Sequence, residues 1–183
     1  GIVPDADTSL LLSGGAPQIY QYRALTPWLV NLVLGITSEL SPRTVLTPET
    51  VFQVVELVSI FLLLLVFRHY VISVIGDSSL GWVLSLTLFS ALLFTHVIPR
   101  ASPMAYVFWY SWDIPSVMFF ALGLLLLYRR NWIWYYIVFA VASLNRETTA
   151  FLTLVYLFTV IGKSSPRTVG WHCLAQVLIW VGI

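Results

Sequence analysis

VFQVVELVSIFLLLLVFRHYVISVI, residues 51–75, decides how the rest of the chain reads. It is apolar for longer than the ~20 residues that a helix needs to cross a bilayer core. Arg68 and His69 come only towards its end, and Glu56, in its first turns, reads as a partner for an arginine or for Gln53. Thr47 ahead of it is an N-cap with Pro48 at the first helical position. Gly76-Asp77-Ser78-Ser79 behind it is a turn. The composition agrees with a crossing helix. The 183 residues are 59% hydrophobic and 9% charged, with mean hydropathy +0.90, whereas soluble domains carry about 25% charged residues. The reading is an integral membrane protein.

Working outward, residues 81–98 and 114–128 read as further spans, the first ended by Pro99 and the second closed by Arg129-Arg130-Asn131. The stretch 100–113 between them is aromatic, with Tyr106, Trp109, Tyr110 and Trp112, as at a membrane–water interface. Residues 163–167 are a turn containing Pro166, and 169–183 begin another span. On the amino-terminal side, 25–40 is apolar but holds Pro27 and Asn31 and is short of a span, so it reads as an interfacial helix. Residues 1–22 read as loop with one short helical turn. The expected fold is therefore all-α, a polytopic transmembrane helical bundle with interfacial helices. Its expected division is 1–48, a non-cytoplasmic loop and interfacial helix, and 49–183, the membrane bundle.

The charges are few, so their places matter. The net charge of +1 says nothing about nucleic acid, but no run of basic residues exists to track a phosphate backbone, so no nucleic-acid partner is expected. Cys173 is the only cysteine, which excludes an intrachain disulfide and a cysteine metal cluster. His69, His96 and His172 have no ligand spacing, so no histidine metal site is expected. If the spans alternate, Arg68, Arg129, Arg130, Lys163 and Arg167 share one side with a single acid, Asp77. The positive-inside rule makes that side cytoplasmic. Arg43, Glu49, Arg100, Asp113, Arg146 and Glu147 then fall on the other side, as do Asp5, Asp7 and Arg23 if 25–40 lies flat.

Asn145-Arg146-Glu147-Thr148 is the most unusual group. It stands between two apolar runs, 132–144 and 149–161, with no hydrophilic loop around it. Each run is too short to cross squarely, and together they are too long for one crossing. Two short, tilted helices meeting at a sunken polar turn fit better. Charges at such depth are costly and face a partner or a wet cavity. Asp113 has two compatible roles, since an Asp before Ile114-Pro115 caps a helix and can also face a cavity.

Read in order, Asp5-Ala6-Asp7, Gly14-Gly15 and Tyr20-Gln21-Tyr22-Arg23-Ala24-Leu25-Thr26-Pro27 resemble the first large loop of GT-C-type membrane glycosyltransferases. Trp112-Asp113-Ile114-Pro115 opening a span, and Leu144-Asn145-Arg146-Glu147-Thr148 between two short helices, are similar to later features of such proteins. The resemblance covers most of the chain and the front half of a full enzyme. It implies transfer of a sugar from a polyprenyl-phosphate carrier on the non-cytoplasmic face of the bacterial inner membrane, or of the endoplasmic reticulum in eukaryotes. It implies Asp5 and Asp7 as catalytic base and ligands of a divalent cation (Mg or Mn). It implies Arg23 and Arg146 on the carrier phosphate, with Asp113, Asn145 and Glu147 beside them in the substrate site. Ser9 departs from the pattern, where such loops often carry an aromatic residue. The alternative reading is a non-catalytic accessory or scaffold subunit of a larger membrane complex, with membrane lipids and other membrane subunits as its partners. The chain begins with Gly1 and ends at Ile183 inside an apolar run, which reads as a processed chain or a piece of a longer one.

Overall fold

Helix boundaries follow from local chemistry. The computed structural model describes residues 8–13, 15, 24–40, 46–94 and 113–183. Its elements are α1 (Thr8–Ser13), α2 (Leu25–Leu40), α3 (Pro48–Ile75), α4 (Ser78–Leu92), α5 (Asp113–Tyr128), α6 (Trp132–Asn145), a 3₁₀ turn (Glu147–Ala150), α7 (Phe151–Val160) and α8 (Pro166–Gly182). The fold is all-α, with no strand among the described residues. Thr47 caps α3 by accepting from the Thr50 backbone N–H, with Pro48 at the first position. The helix stops at Gly76, whose left-handed φ of 82° is open to glycine at no steric cost. Asp77 then caps α4 by accepting from the Ser79 and Leu80 N–H groups at 2.7 and 3.1 Å. Ser165 does the same for α8 from the Thr168 N–H, with Pro166 at the first position. That cap starts α8 three residues before the expected 169, inside what the sequence reads as a turn.

The helices pack around a central pair, α3 and α5. Gly81 lets α4 lie close on α3, because a Cβ there would come within 2.8 Å of Ile72. α5 runs parallel to α3: the rings of Tyr70 and Tyr128 meet edge to face at 6.2 Å, and Arg129 donates to the Ser73 hydroxyl at 3.3 Å. Gly123 admits Leu152 of α7 against α5, where a Cβ would lie 2.6 Å from that side chain. Trp132 at the start of α6 meets Tyr156 late in α7 at 5.7 Å. The runs flanking Asn145–Thr148 therefore form an antiparallel hairpin and not one long helix. α8 returns along both: His172 lies 4.2 Å from Trp132, and Trp180 reaches back to Glu147. The main core is Leu127, Tyr135, Phe139, Leu152 and Tyr156. A second core of Val30, Val51 and Phe52 seats α2 on the start of α3. The expected boundary at 48/49 falls within the first turn of α3.

These contacts sort the charges into two ends. The turns at Gly76-Asp77, Arg129–Asn131 and Gly162-Lys163 gather at one end. The starts of α3, α5 and α7 and the ends of α6 and α8 gather at the other, with Asp113, Arg146 and Glu147. Among the described residues, α3 is the one helix long and apolar enough to cross a membrane, by length and composition, while α4 to α7 are apolar but shorter. Large apolar side chains cover the outside, among them Leu57, Phe61, Ile133 and Phe158, which is 74% exposed.

Candidate functional site

The hairpin break builds the site. α6 ends at Asn145, and Arg146 swings into extended backbone (φ −160°, ψ 136°) while its N–H still bonds the Ala142 carbonyl at 3.0 Å. The 3₁₀ turn then starts the return. Trp180 of α8 steadies it by donating its indole N–H to the Glu147 carbonyl at 3.1 Å. Irregular backbone of this kind is tolerated away from water only where protein or a cavity satisfies it.

Asn145 is fully buried and joins three helices. Its Oδ1 accepts from the Thr26 hydroxyl of α2 at 2.6 Å, and its Nδ2 donates to the Ser116 hydroxyl of α5 at 2.8 Å. Beside it, Arg146 Nη1 donates to Asp113 Oδ1 at 2.7 Å, with the two side chains 30% and 25% exposed. Asp113 and Ser116 are three residues apart on α5, hence on one face, so one helix edge receives both Asn145 and Arg146. Arg146 Nε is buried and has no hydrogen-bond partner among the described residues. A guanidinium carries five N–H donors in a fixed fork. The pairing with Asp113 therefore orients Arg146 and leaves donors for a further acceptor. Next to this 3₁₀ turn, and between α7 and α8, opens a cleft of about 500 Å³ lined by Glu147, Thr148, Phe151, Leu154, Val177 and Trp180.

Of the residues expected at a site, Asp113, Asn145 and Arg146 come together, and Glu147 is adjacent and exposed. The ion pair of Arg146 is with Asp113, 33 residues earlier, and not with its neighbour Glu147. Adjacent side chains do not face one another at a helix end. Thr26 and Ser116 are members that the sequence reading passed over. The signal was present, since Thr26 precedes Pro27 at a helix start and Ser116 follows Asp113 by one helical turn. Asp5, Asp7 and Arg23 lie outside the described residues, and so do the expected base and cation site. Among the described residues no three His, Cys, Asp or Glu side chains gather. Comparison of the chain with protein-family models, with curated proteins and with solved structures finds no match.

Proposed function

We propose that this chain is a multi-pass membrane protein of GT-C type, and that its Arg146 end receives the phosphate of a polyprenyl-phosphate sugar on the non-cytoplasmic side. The observation that carries this reading is the half-buried Arg146, aimed by Asp113 and standing beside an apolar cleft between α7 and α8. A charged group for a phosphate next to an apolar cleft for a chain is what a lipid phosphate requires. The membrane part is supported by α3, by the shorter apolar helices and by the apolar outer faces. At 1.5 Å per residue, α6 spans only ~21 Å of a ~30 Å hydrocarbon core, which sinks the Arg146 turn below the bilayer surface. In this reading a carboxylate of the amino-terminal loop, Asp5 or Asp7, takes the acceptor hydroxyl proton. The acceptor oxygen bonds to the sugar anomeric carbon, and the bond to the carrier phosphate breaks.

Binding by the full chain in lipid nanodiscs tests it, with a short polyprenyl phosphate compared against the matching polyprenol and followed by tryptophan fluorescence. The phosphate binds more tightly, and Arg146→Gln loses about ten- to a hundredfold, the worth of a charge-assisted hydrogen bond of ~1.5–3 kcal/mol. Equal affinity for phosphate and polyprenol overturns the reading. The same ion pair supports a second reading, an accessory subunit in which Asp113–Arg146 only pins α5 to α6. There, Arg146→Gln lowers stability and the phosphate has no advantage.

A further inference from the structure

The opposite end of the bundle holds a second cleft that the proposed transfer does not use. It lies where α7 turns into α8, has a volume of about 420 Å³, and is lined by Leu157, Ile161, Gly162, Val169, Gly170 and Cys173. Gly162 and Gly170 leave it open, since nothing lies within 4 Å of a Cβ built at either. Lys163 and Arg167 flank these residues in sequence, and both are exposed. Neither has an ion-pair partner among the described residues. The rest of this end is also cationic. Arg130 is exposed, Arg129 bonds only the Ser73 hydroxyl among the described residues, and Arg68 lies over the Trp82 ring at 4.4 Å. The acid that stands against them is Asp77, whose carboxylate caps α4.

An apolar cleft whose lining residues alternate in sequence with two exposed cations, Lys163 next to Gly162 and Arg167 next to Pro166, suits an amphiphile with a negative head. We propose that this cleft holds one acyl chain of an anionic phospholipid, with Lys163 and Arg167 on its phosphate. Charge complementarity selects the head, and the apolar lining selects the chain. The site rests on the membrane reading but is independent of sugar transfer, being at the end away from Arg146. Each basic side chain near an anionic membrane surface is worth ≈ 1 kcal/mol, or about fivefold in binding.

The test is native mass spectrometry of the full chain purified in detergent with equal phosphatidylglycerol and phosphatidylcholine. The wild type retains phosphatidylglycerol in preference. Lys163→Gln with Arg167→Gln lowers that preference by about fivefold for each charge. Gly170→Leu keeps every charge, fills the cleft and replaces a helical glycine with a better helix former, so it folds and loses the bound lipid. Wild-type retention in either variant, or no preference in the wild type, overturns the proposal. Alkaline carbonate extraction separates the two failures. A chain that stays in the membrane pellet without lipid preference refutes this site alone, and a chain that leaves the pellet refutes the membrane reading as well.

Discussion

Asn145→Ala is the sharpest test of how the site is assembled. The amide joins α2, α5 and α6 through Thr26 at 2.6 Å and Ser116 at 2.8 Å, and it is fully buried. Thr26 is 2% exposed, so its hydroxyl cannot turn to water when the acceptor goes. Stranding a buried polar group costs about 1–3 kcal/mol. Ser116 is only half-buried and recovers part of its loss, leaving about 0.5–1 kcal/mol. Interhelical hydrogen bonds in a membrane reference state are weaker, averaging ≈ 0.6 kcal/mol with a maximum near ≈ 1.7. Two such bonds are together worth about 1.2–3.4 kcal/mol, the stranded groups together about 1.5–4 kcal/mol, and the expected loss lies in the lower part of the overlap, at about 2 kcal/mol. The assay is reversible unfolding in mixed micelles, run as a double-mutant cycle with Thr26→Val, which keeps the shape and removes the hydroxyl. Coupling of about 0.6–1.7 kcal/mol is expected between the two positions. Additive effects, or wild-type stability of Asn145→Ala, would refute the idea that α2 is docked through this amide.

Three further outcomes follow from the packing. Gly123→Val should lose about 1–3 kcal/mol by overpacking Leu152, and Leu152→Ala should restore part of it; a neutral Gly123→Val in the same unfolding assay contradicts the close approach of α5 and α7. Tyr135 donates to Gln176 Oε1 at 3.0 Å while Gln176 Nε2 is buried without a hydrogen-bond partner among the described residues, so Gln176→Leu should cost about 1–3 kcal/mol by stranding the phenol, and the pair Tyr135→Phe with Gln176→Leu should be nearly neutral. If the proposed multi-pass reading holds, then in a Cys173→Ser background cysteines at Asn131 and Lys163 label from one side of the membrane and a cysteine at Glu147 from the other; labelling of all three from one side contradicts that reading.

The all-α class, the hairpin break at residues 145–148 and the Thr47-Pro48 start of α3 were legible in the chain. Each rests on local chemistry: long apolar runs, polar residues where a helix must stop, and a cap followed by a proline. The grouping of Arg68, Arg129, Arg130 and Lys163 away from Asp113 and Arg146 was legible too, because alternating helices send alternate loops to opposite ends. The early start of α8 was missed, because Lys163 to Arg167 reads as a turn until Ser165 is recognised as its cap.

By itself, then, the sequence determined where most helices begin and end, how apolar they are, and that Arg146 stands in a break between two apolar runs and calls for a partner, since local propensity and desolvation depend on residue identity alone. Only the tertiary structure decided what it answers to. Helices of equal apolarity can meet in many rotations, and the choice among them depends on side-chain fit at Gly81 and Gly123, where a backbone can come close. That fit turns the Asp113 and Ser116 face of α5 towards α6. It gives Arg146 a carboxylate 33 residues away instead of the one next to it, and makes Thr26 and Asn145 the bond that brings α2 to the site.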